Sequence, residues 1–172
     1  MKRLIAILGA MLMLLISGCT PDSNKVSEHK NKEEKSEFCL ISETATIELN
    51  TDISKLDMEP IRTENGSGDG FKWIINKYSD IEIKTLLSDD NKNIINKIST
   101  TSPAYKTTKG VKVGDSVEKL TELYKEYLVH SKSVEFDYYL FDPENDIGFR
   151  KIYFYIENDT INKIVIEDGI DG

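Results

Sequence analysis

Gly114, Asp115 and Ser116 form the stretch of this sequence whose residue types come closest to a catalytic motif. A serine nucleophile on a sharp strand-to-helix turn needs the pattern Gly-x-Ser-x-Gly, and the second residue after Ser116 is Glu118. A phosphate-binding loop needs several glycines and a lysine at the start of its helix, and this stretch lacks them. The sequence therefore predicts neither a serine nucleophile nor a phosphate site here.

The same stretch has the composition of a helix N-terminus. The Asp115 side chain can accept a hydrogen bond from the backbone amide of Glu118, and the Glu118 side chain can reach back, as in a capping box. Negative charge in the first turn also interacts favourably with the helix dipole. We therefore predict that Asp115 and Glu118 cap a helix, and we assign no catalytic residue.

A metal site is not predicted either. Asp142, Glu144 and Asp146 alternate like the first ligands of a calcium-binding loop. The glycine that such a loop needs at its sixth position is replaced by Ile147, and Tyr153 stands where a glutamate should close the site. We interpret the stretch as a hairpin loop and expect no metal and no cofactor.

Apolar residues at helical spacing follow Ser116 and predict a helix of about twelve residues; they are Val117, Leu120, Leu123, Tyr124, Tyr127 and Leu128. Aromatic and β-branched residues then predict three strands, at 134–141, 150–157 and 160–167. Asn158 and Asp159 predict a tight hairpin turn between the last two.

Two segments of the chain resemble each other in order and spacing. Residues 47–56 match residues 111–120 at an offset of 64, and Ile95-Asn-Lys-Ile98 recurs as Ile161-Asn-Lys-Ile164 at an offset of 66. Phe71-Lys-Trp73 matches Phe136-Asp-Tyr138 between them. Ordered matches at a nearly constant period indicate a duplication.

We therefore predict an α+β fold made of two tandem repeats, residues 39–104 and 105–172. Each repeat should pack one short helix on an antiparallel sheet of three or four strands. In the first repeat a helix begins near Asp52 and is kept short because Pro60 cannot continue it. A single repeat would be marginally stable, so the two are expected to share a core.

The N-terminus has the features of a secretory signal. Lys2 and Arg3 precede an apolar run that is shorter than the roughly 20 residues of a membrane span. Ile-Ser-Gly-Cys at 16–19 resembles the cleavage signal of bacterial lipoproteins. The resemblance implies that residues 1–18 are removed and that Cys19 carries lipid chains, which anchor the protein on the extracytoplasmic face of the cell membrane.

Charge and cysteine content narrow the partners. Residues 19–38 are charged and poor in aliphatic side chains, which predicts a solvated tether. Without Lys2 and Arg3 the chain has 20 basic and 30 acidic residues, so nucleic acid is not an expected partner.

Cys39 is then the one cysteine without lipid; it is either a buried apolar side chain or a reactive thiol.

The sequence from Gly110 to Ser116, followed by a helix and by strands ending in Ile-x-x-Ile-x-Ile, resembles a superfamily of small secreted and lipid-anchored modules. This superfamily includes the β-lactamase inhibitor proteins, which are also tandem repeats, and the small lipoprotein of the outer-membrane barrel assembly machine. The likeness covers roughly residues 40–170. It departs at 125–127, where Lys-Glu-Tyr replaces the usual Gly-x-Pro. The resemblance implies that helices cover one sheet face and that the other face binds a protein.

Strand alternation identifies the side chains that could serve such a face. It places Tyr153 and Tyr155 on the face opposite to the apolar residues of the same strand. It also places Tyr139 and Phe141 on the face opposite to Phe136, Tyr138 and Leu140. We predict a partner-binding cluster of Tyr139, Phe141, Tyr153 and Tyr155, because such side chains suit protein interfaces. The alternative is that they only stabilise cross-strand pairs on a hydrated sheet.

The function predicted from the sequence is a non-enzymatic, lipid-anchored extracytoplasmic module that binds an envelope or secreted protein. Two alternatives from other classes stay open. One is an envelope hydrolase with an unrecognised site, and the other is an envelope protein that binds cations through acidic loops. The oligomeric state is left open by the sequence.

Overall fold

A computed structural model of the chain describes residues 36–68, 70–143 and 149–169. Several predictions concern residues outside these ranges: the signal peptide (1–18), the lipid on Cys19, most of the tether (19–38), Glu144 and Asp146. Within the described part of the chain, no helix has the length and apolar character needed to span a bilayer.

About half of the described residues lie in ten strands: β1 (Cys39–Ile41), β2 (Thr46–Glu48), β3 (Arg62–Gly68), β4 (Phe71–Lys77), β5 (Ile81–Leu87), β6 (Asn93–Thr100), β7 (Leu128–Lys132), β8 (Asp137–Phe141), β9 (Arg150–Glu157) and β10 (Thr160–Asp168). β1 and β2 form a two-stranded pair. The others form one antiparallel sheet in the order β3-β4-β5-β6-β10-β9-β8-β7.

The pairing of β6 with β10 makes this sheet continuous. Ile98 lies opposite Ile166, and Thr100 lies opposite Ile164. β10 also pairs with β9 along its whole length, with one register shift after Ile161. Because β10 is bonded on both sides, the four strands β3 to β6 and the four strands β7 to β10 form a single surface.

One face of the sheet is covered and holds the hydrophobic core. The cover consists of the β1–β2 pair, a short 3-10 helix (Ile53–Lys55), the helix α1 (Val117–Leu123) and their connections. Fully buried side chains of the cover and of the sheet form one cluster; they include Leu40, Ile47, Leu120, Tyr124, Phe141, Ile152, Phe154 and Ile164. The Tyr124 ring meets the rings of Phe141 and Phe154 edge-on, with centroids 5.0 and 5.1 Å apart.

The predicted α+β class is wrong: the chain is mostly β, with one eight-stranded sheet, one small pair of strands and, among the described residues, one α-helix. The helix expected near Asp52 is a single 3-10 turn, whose N-cap is Asp52 itself. The helix after Ser116 is seven residues long instead of about twelve. A helix packed on each half of the sheet is therefore absent from the described chain.

Two segments were assigned wrongly for identifiable reasons. Leu128 has helical spacing from Tyr124, but it begins β7 and reaches the core from a strand, after Tyr127 adopts a left-handed backbone with φ 62°. The glycine-rich stretch at 65–68, which the sequence does not identify as a strand, belongs to β3. Gly66 is needed there because a Cβ would lie 2.3 Å from Cζ2 of Trp73, whose ring covers the glycine.

The helix cap is shifted by one residue from the prediction. The N-cap is Ser116, whose Oγ accepts a hydrogen bond from the Lys119 amide at 3.3 Å. The Asp115 carboxylate instead accepts from the Lys112 amide at 2.9 Å and from Lys119 Nζ at 2.8 Å. Glu118 lies exposed in the first turn, where it favours the helix dipole. The stretch still serves architecture, but through its serine.

Other local predictions are confirmed. The three strands expected in the second half correspond to β8, β9 and β10. Asn158 and Asp159 form the hairpin turn, with φ of 51° and 59°. These segments combine clear alternation with a definite turn, so neighbouring structure does not override them.

The two leucines of α1 provide a test of the covered face. We expect Leu120→Ala, which removes a fully buried side chain, to lower the free energy of unfolding by about 2–5 kcal/mol. Leu123→Ala, on the same helix but 39% exposed, should cost less than about 1 kcal/mol. Urea denaturation measures both, and equal losses would contradict the assignment of the core.

Candidate functional site

The second face of the sheet has no cover among the described residues. The strand register decides which side chains share this open face, because side chains alternate along each strand and paired residues point to the same side. None of the open-face side chains belongs to the core cluster, which contains residues of α1, β1 and β2. The open face is thus a broad surface separate from the core.

An aromatic group lies at the β8 and β9 end of the open face. Tyr138 pairs with Tyr155, and Leu140 pairs with Tyr153. The ring centroids of Tyr138 lie 5.6 Å from Tyr153 and 5.7 Å from Tyr155, and Phe136 is 6.5 Å from Tyr155. We call Phe136, Tyr138, Tyr153 and Tyr155 the tyrosine patch. Phe136 is 54% exposed and the three tyrosines are half-buried.

The floor and the polar rim of the patch come from β10 and β6. Val165 lies opposite Tyr153 and is buried although no other described part of the chain covers this face. Beside it Lys97 Nζ lies 2.6 Å from a carboxylate oxygen of Glu167. Burial, the Glu167 charge and a side-chain hydrogen bond with Glu167 raise the pKa of Tyr153 well above its ordinary value. The Tyr153 hydroxyl therefore stays protonated at neutral pH.

The open face has a charge opposite to that of the whole chain. Its strand residues include six basic side chains, Arg62, Lys77, Lys84, Lys97, Lys151 and Lys163. They include four acidic ones, Glu64, Glu82, Glu157 and Glu167. The face thus has a net charge of +2 in a chain of 22 basic and 30 acidic residues, which leaves 16 and 26 elsewhere.

Local pairing matches most charges of the open face and leaves Lys163 beside the tyrosine patch. Towards β3 and β5, Glu64 accepts from Arg62 and Lys77, both at 3.1 Å, so those charges are largely matched. Lys163 Nζ instead lies 5.8 Å from the centroid of the Tyr155 ring, a cation–π arrangement. The patch thus presents aromatic rings with an ammonium group beside them.

The four residues predicted to form the partner-binding cluster are not brought together. Tyr153 and Tyr155 lie on the open face as expected. Phe141 lies opposite Ile152 on the covered face and is 1% exposed, and Tyr139 lies opposite Phe154 and packs against the core. The alternation within each strand was right, but the register between β8 and β9 was not available from the sequence. Tyr138 and Phe136 were missed for that reason.

Other reactive side chains are engaged in structural contacts. Ser116 Oγ caps α1. His130 Nε2 lies 2.8 Å from Asp137 Oδ1, and its ring stacks on Tyr139 with centroids 4.4 Å apart. Cys39 is fully buried in β1, as the first of the two alternatives expects. Within the described residues, no three His, Cys, Asp or Glu side chains lie close enough to hold a metal ion.

Comparison with known proteins gives a single weak likeness. No protein-family model matches the chain, and no curated protein matches it. A crystal structure of a candidate beta-lactamase inhibitor protein from Streptococcus mutans aligns with 69% of this chain and 83% of its own, at 18% identity and a TM-score of 0.27. These values are too low to assign a common fold or function.

The tyrosine patch should have a signature at alkaline pH. The raised pKa of Tyr153 means that the folded chain holds this proton more tightly than the unfolded chain. The contribution is fully present below the ordinary tyrosine pKa of about 10 and is lost as pH rises beyond it. In Tyr153→Phe, the free energy of unfolding should therefore fall less steeply above pH 10 than in the wild type.

Denaturation at a series of alkaline pH values measures this slope. Phe136→Ala is the control, because it disturbs the same patch without removing a titrating hydroxyl and should lower stability equally at every pH. Parallel curves for Tyr153→Phe and the wild type would contradict the described burial of Tyr153.

Proposed function

We propose that this chain is a non-enzymatic protein-binding module whose open sheet face docks on an acidic surface of a protein partner. One observation carries the proposal: an uncovered sheet face holds a cluster of aromatic side chains and an excess of lysine, in a chain that is otherwise strongly acidic.

Tyrosine is suited to the centre of a protein interface. It buries a large amphipathic surface while fixing only two side-chain torsions, and its hydroxyl can hydrogen-bond to the partner. The rings of the tyrosine patch already support one another, so little conformational entropy remains to be lost on binding. Eight strands at about 4.8 Å spacing give a face roughly 34 Å wide, enough for a standard interface of about 800 Å² per partner.

The charge distribution favours a particular kind of partner. The excess of positive charge on the open face attracts acidic groups and raises the association rate. The net charge of the chain, −8, repels extended polyanions such as nucleic acid at long range. A folded protein with a localised acidic surface therefore fits better than a nucleic acid.

We also propose that the module is anchored to the cell membrane on its extracytoplasmic face through lipid on Cys19, after removal of residues 1–18. The support is the residue pattern around Cys19 and the polar composition of residues 19–38. A flexible tether of this length has a root-mean-square span of about 25 Å. The open face could then reach an envelope or secreted protein near the bilayer.

Site-specific crosslinking in the native cells tests the proposal. A photo-crosslinking residue at position 155 should produce a covalent adduct with a second protein, because Tyr155 lies in the patch. The same residue at position 134 should not, although Val134 is fully exposed in the β7–β8 turn. Tyr138→Ala with Lys163→Glu should remove the adduct from position 155 by deleting a ring and reversing a charge. Immunoblotting and mass spectrometry detect the products.

Further experiments in the same cells test the docking face and the lipid anchor separately. An adduct with the mass of two copies of this chain would overturn the proposal of a different partner, and equal adducts from both positions would overturn the role of the open face. Labelling of the cells with an alkyne analogue of a fatty acid should mark the wild-type protein and not Cys19→Ser; equal labelling of the two would contradict the lipid anchor without affecting the claim about the face.

A further inference from the structure

A cavity of about 410 Å³ lies at one corner of the sheet, away from the tyrosine patch. It is formed where β5 ends, β6 begins and β10 ends. Its polar lining includes Asn50, Asn96, Asp89 and Asp168, and its apolar lining includes Phe71, Leu86, Leu87 and Ile94. No lysine or arginine is among its described lining residues, so the cavity is acidic.

The polar wall of this cavity has fewer hydrogen-bond donors than acceptors. Asp168 Oδ2 accepts from Asn50 Nδ2 at 3.1 Å, and the backbone oxygen of Asp168 accepts from Asn96 Nδ2 at 3.1 Å. Asp168 Oδ1 and Asn96 Oδ1 have no hydrogen-bond partner among the described residues. Asp168 and Asn96 are each only 4% exposed, so these oxygens are also poorly solvated.

Buried acceptors without donors in this wall lower the stability of the folded chain on its own. A buried acceptor without a donor loses its hydration and gains nothing in return, and a buried carboxylate loses more. Native structures leave few such groups, and each one calls for an explanation. Both oxygens without a partner are acceptors, so whatever completes them must donate hydrogen bonds. The Asp168 carboxylate and the nearby Asp89 add a preference for positive charge.

We propose that this cavity binds a guanidinium or ammonium group carried on an apolar stem. The head donates a charge-assisted hydrogen bond to the Asp168 carboxylate, whose enclosed Oδ1 must first turn towards the cavity. A carboxylate turns easily about its terminal torsion, so Asp168 can present either oxygen to the cavity. The stem packs on Leu86, Leu87 and Ile94.

Phe71 favours an organic cation over a metal ion. Its side chain is 42% exposed at the cavity, where its ring can stack on a guanidinium or lie under an ammonium group. The head could belong to an arginine or lysine side chain of a protein, or to a small free cation. This site shares no residue with the tyrosine patch, so the proposal for the cavity does not depend on the proposal for the open face.

Calorimetric titration of the full chain in detergent tests the proposal. Butylguanidinium and butylammonium should bind saturably, whereas pentanoate, with a stem of similar length but the opposite charge, should not. A second arm uses N-acetyl-arginine amide. Binding of this compound at least as tight as that of butylguanidinium would identify a protein side chain as the source, and weaker binding would identify a free cation. Failure of both cations to bind would overturn the proposal.

Asp168→Asn is the decisive variant, because it removes the charge and keeps an acceptor for Asn50. The affinity for butylguanidinium should fall about tenfold or more, while the melting temperature stays the same or rises because a poorly paired carboxylate has gone. Asp57→Asn, at an exposed site outside the cavity, should change neither. Equal affinity of Asp168→Asn and the wild type would overturn the proposal.

Asp89→Asn keeps the test decisive if Asp168→Asn does not fold. Asp89 lines the same cavity but is exposed, so its substitution should not affect folding. The charge of an exposed carboxylate contributes little, and the expected loss of affinity is about twofold. An unchanged affinity in Asp89→Asn, with Asp168→Asn unfolded, would count against an acidic cation site.

Discussion

The pairing between β6 and β10 is the interaction on which the rest of this structure depends. It joins two sets of four strands into one sheet, so that Ile98 and Ile166 meet in a common core instead of lying at two separate edges. One short helix, one 3-10 turn and one pair of strands then cover one face of this sheet. The other face remains open because the described chain has no further element to lay on it.

The open face and the corner cavity have opposite electrostatic character. Lysines around Tyr138, Tyr153 and Tyr155 give a positive aromatic surface, whereas Asp168 and Asp89 give a cavity that attracts cations. The first arises because the register brings lysines and tyrosines to the same side of neighbouring strands. The second arises because β6 begins beside the end of β10 with several acceptors and few donors. Both features suit binding.

The sequence predicted what depends on local periodicity and failed where distant contacts decide. The alternation in β9 and β10 and the turn at Asn158 identified that hairpin, because all its determinants are adjacent. Leu128 satisfied a helical pattern and a strand pattern equally well, and only its pairing with Phe141 selects the strand. The sequence does not predict β3, because a glycine such as Gly66 is typical of flexible segments. The Trp73 ring, which requires a glycine at this position, lies on another strand. The register of β8 on β9 is set across a long connection, so the partners of Tyr138 could not be foreseen.

Hydroxyl-radical footprinting of the protein in its native cells, compared with the purified chain, tests the central claim most directly. If the open face binds a partner, Tyr138, Tyr153 and Tyr155 should be oxidised in the purified chain and protected in cells. Leu123 is exposed on α1, which covers the opposite face of the sheet, and it should react equally in both samples. Equal oxidation of the three tyrosines in cells and in isolation would contradict the account.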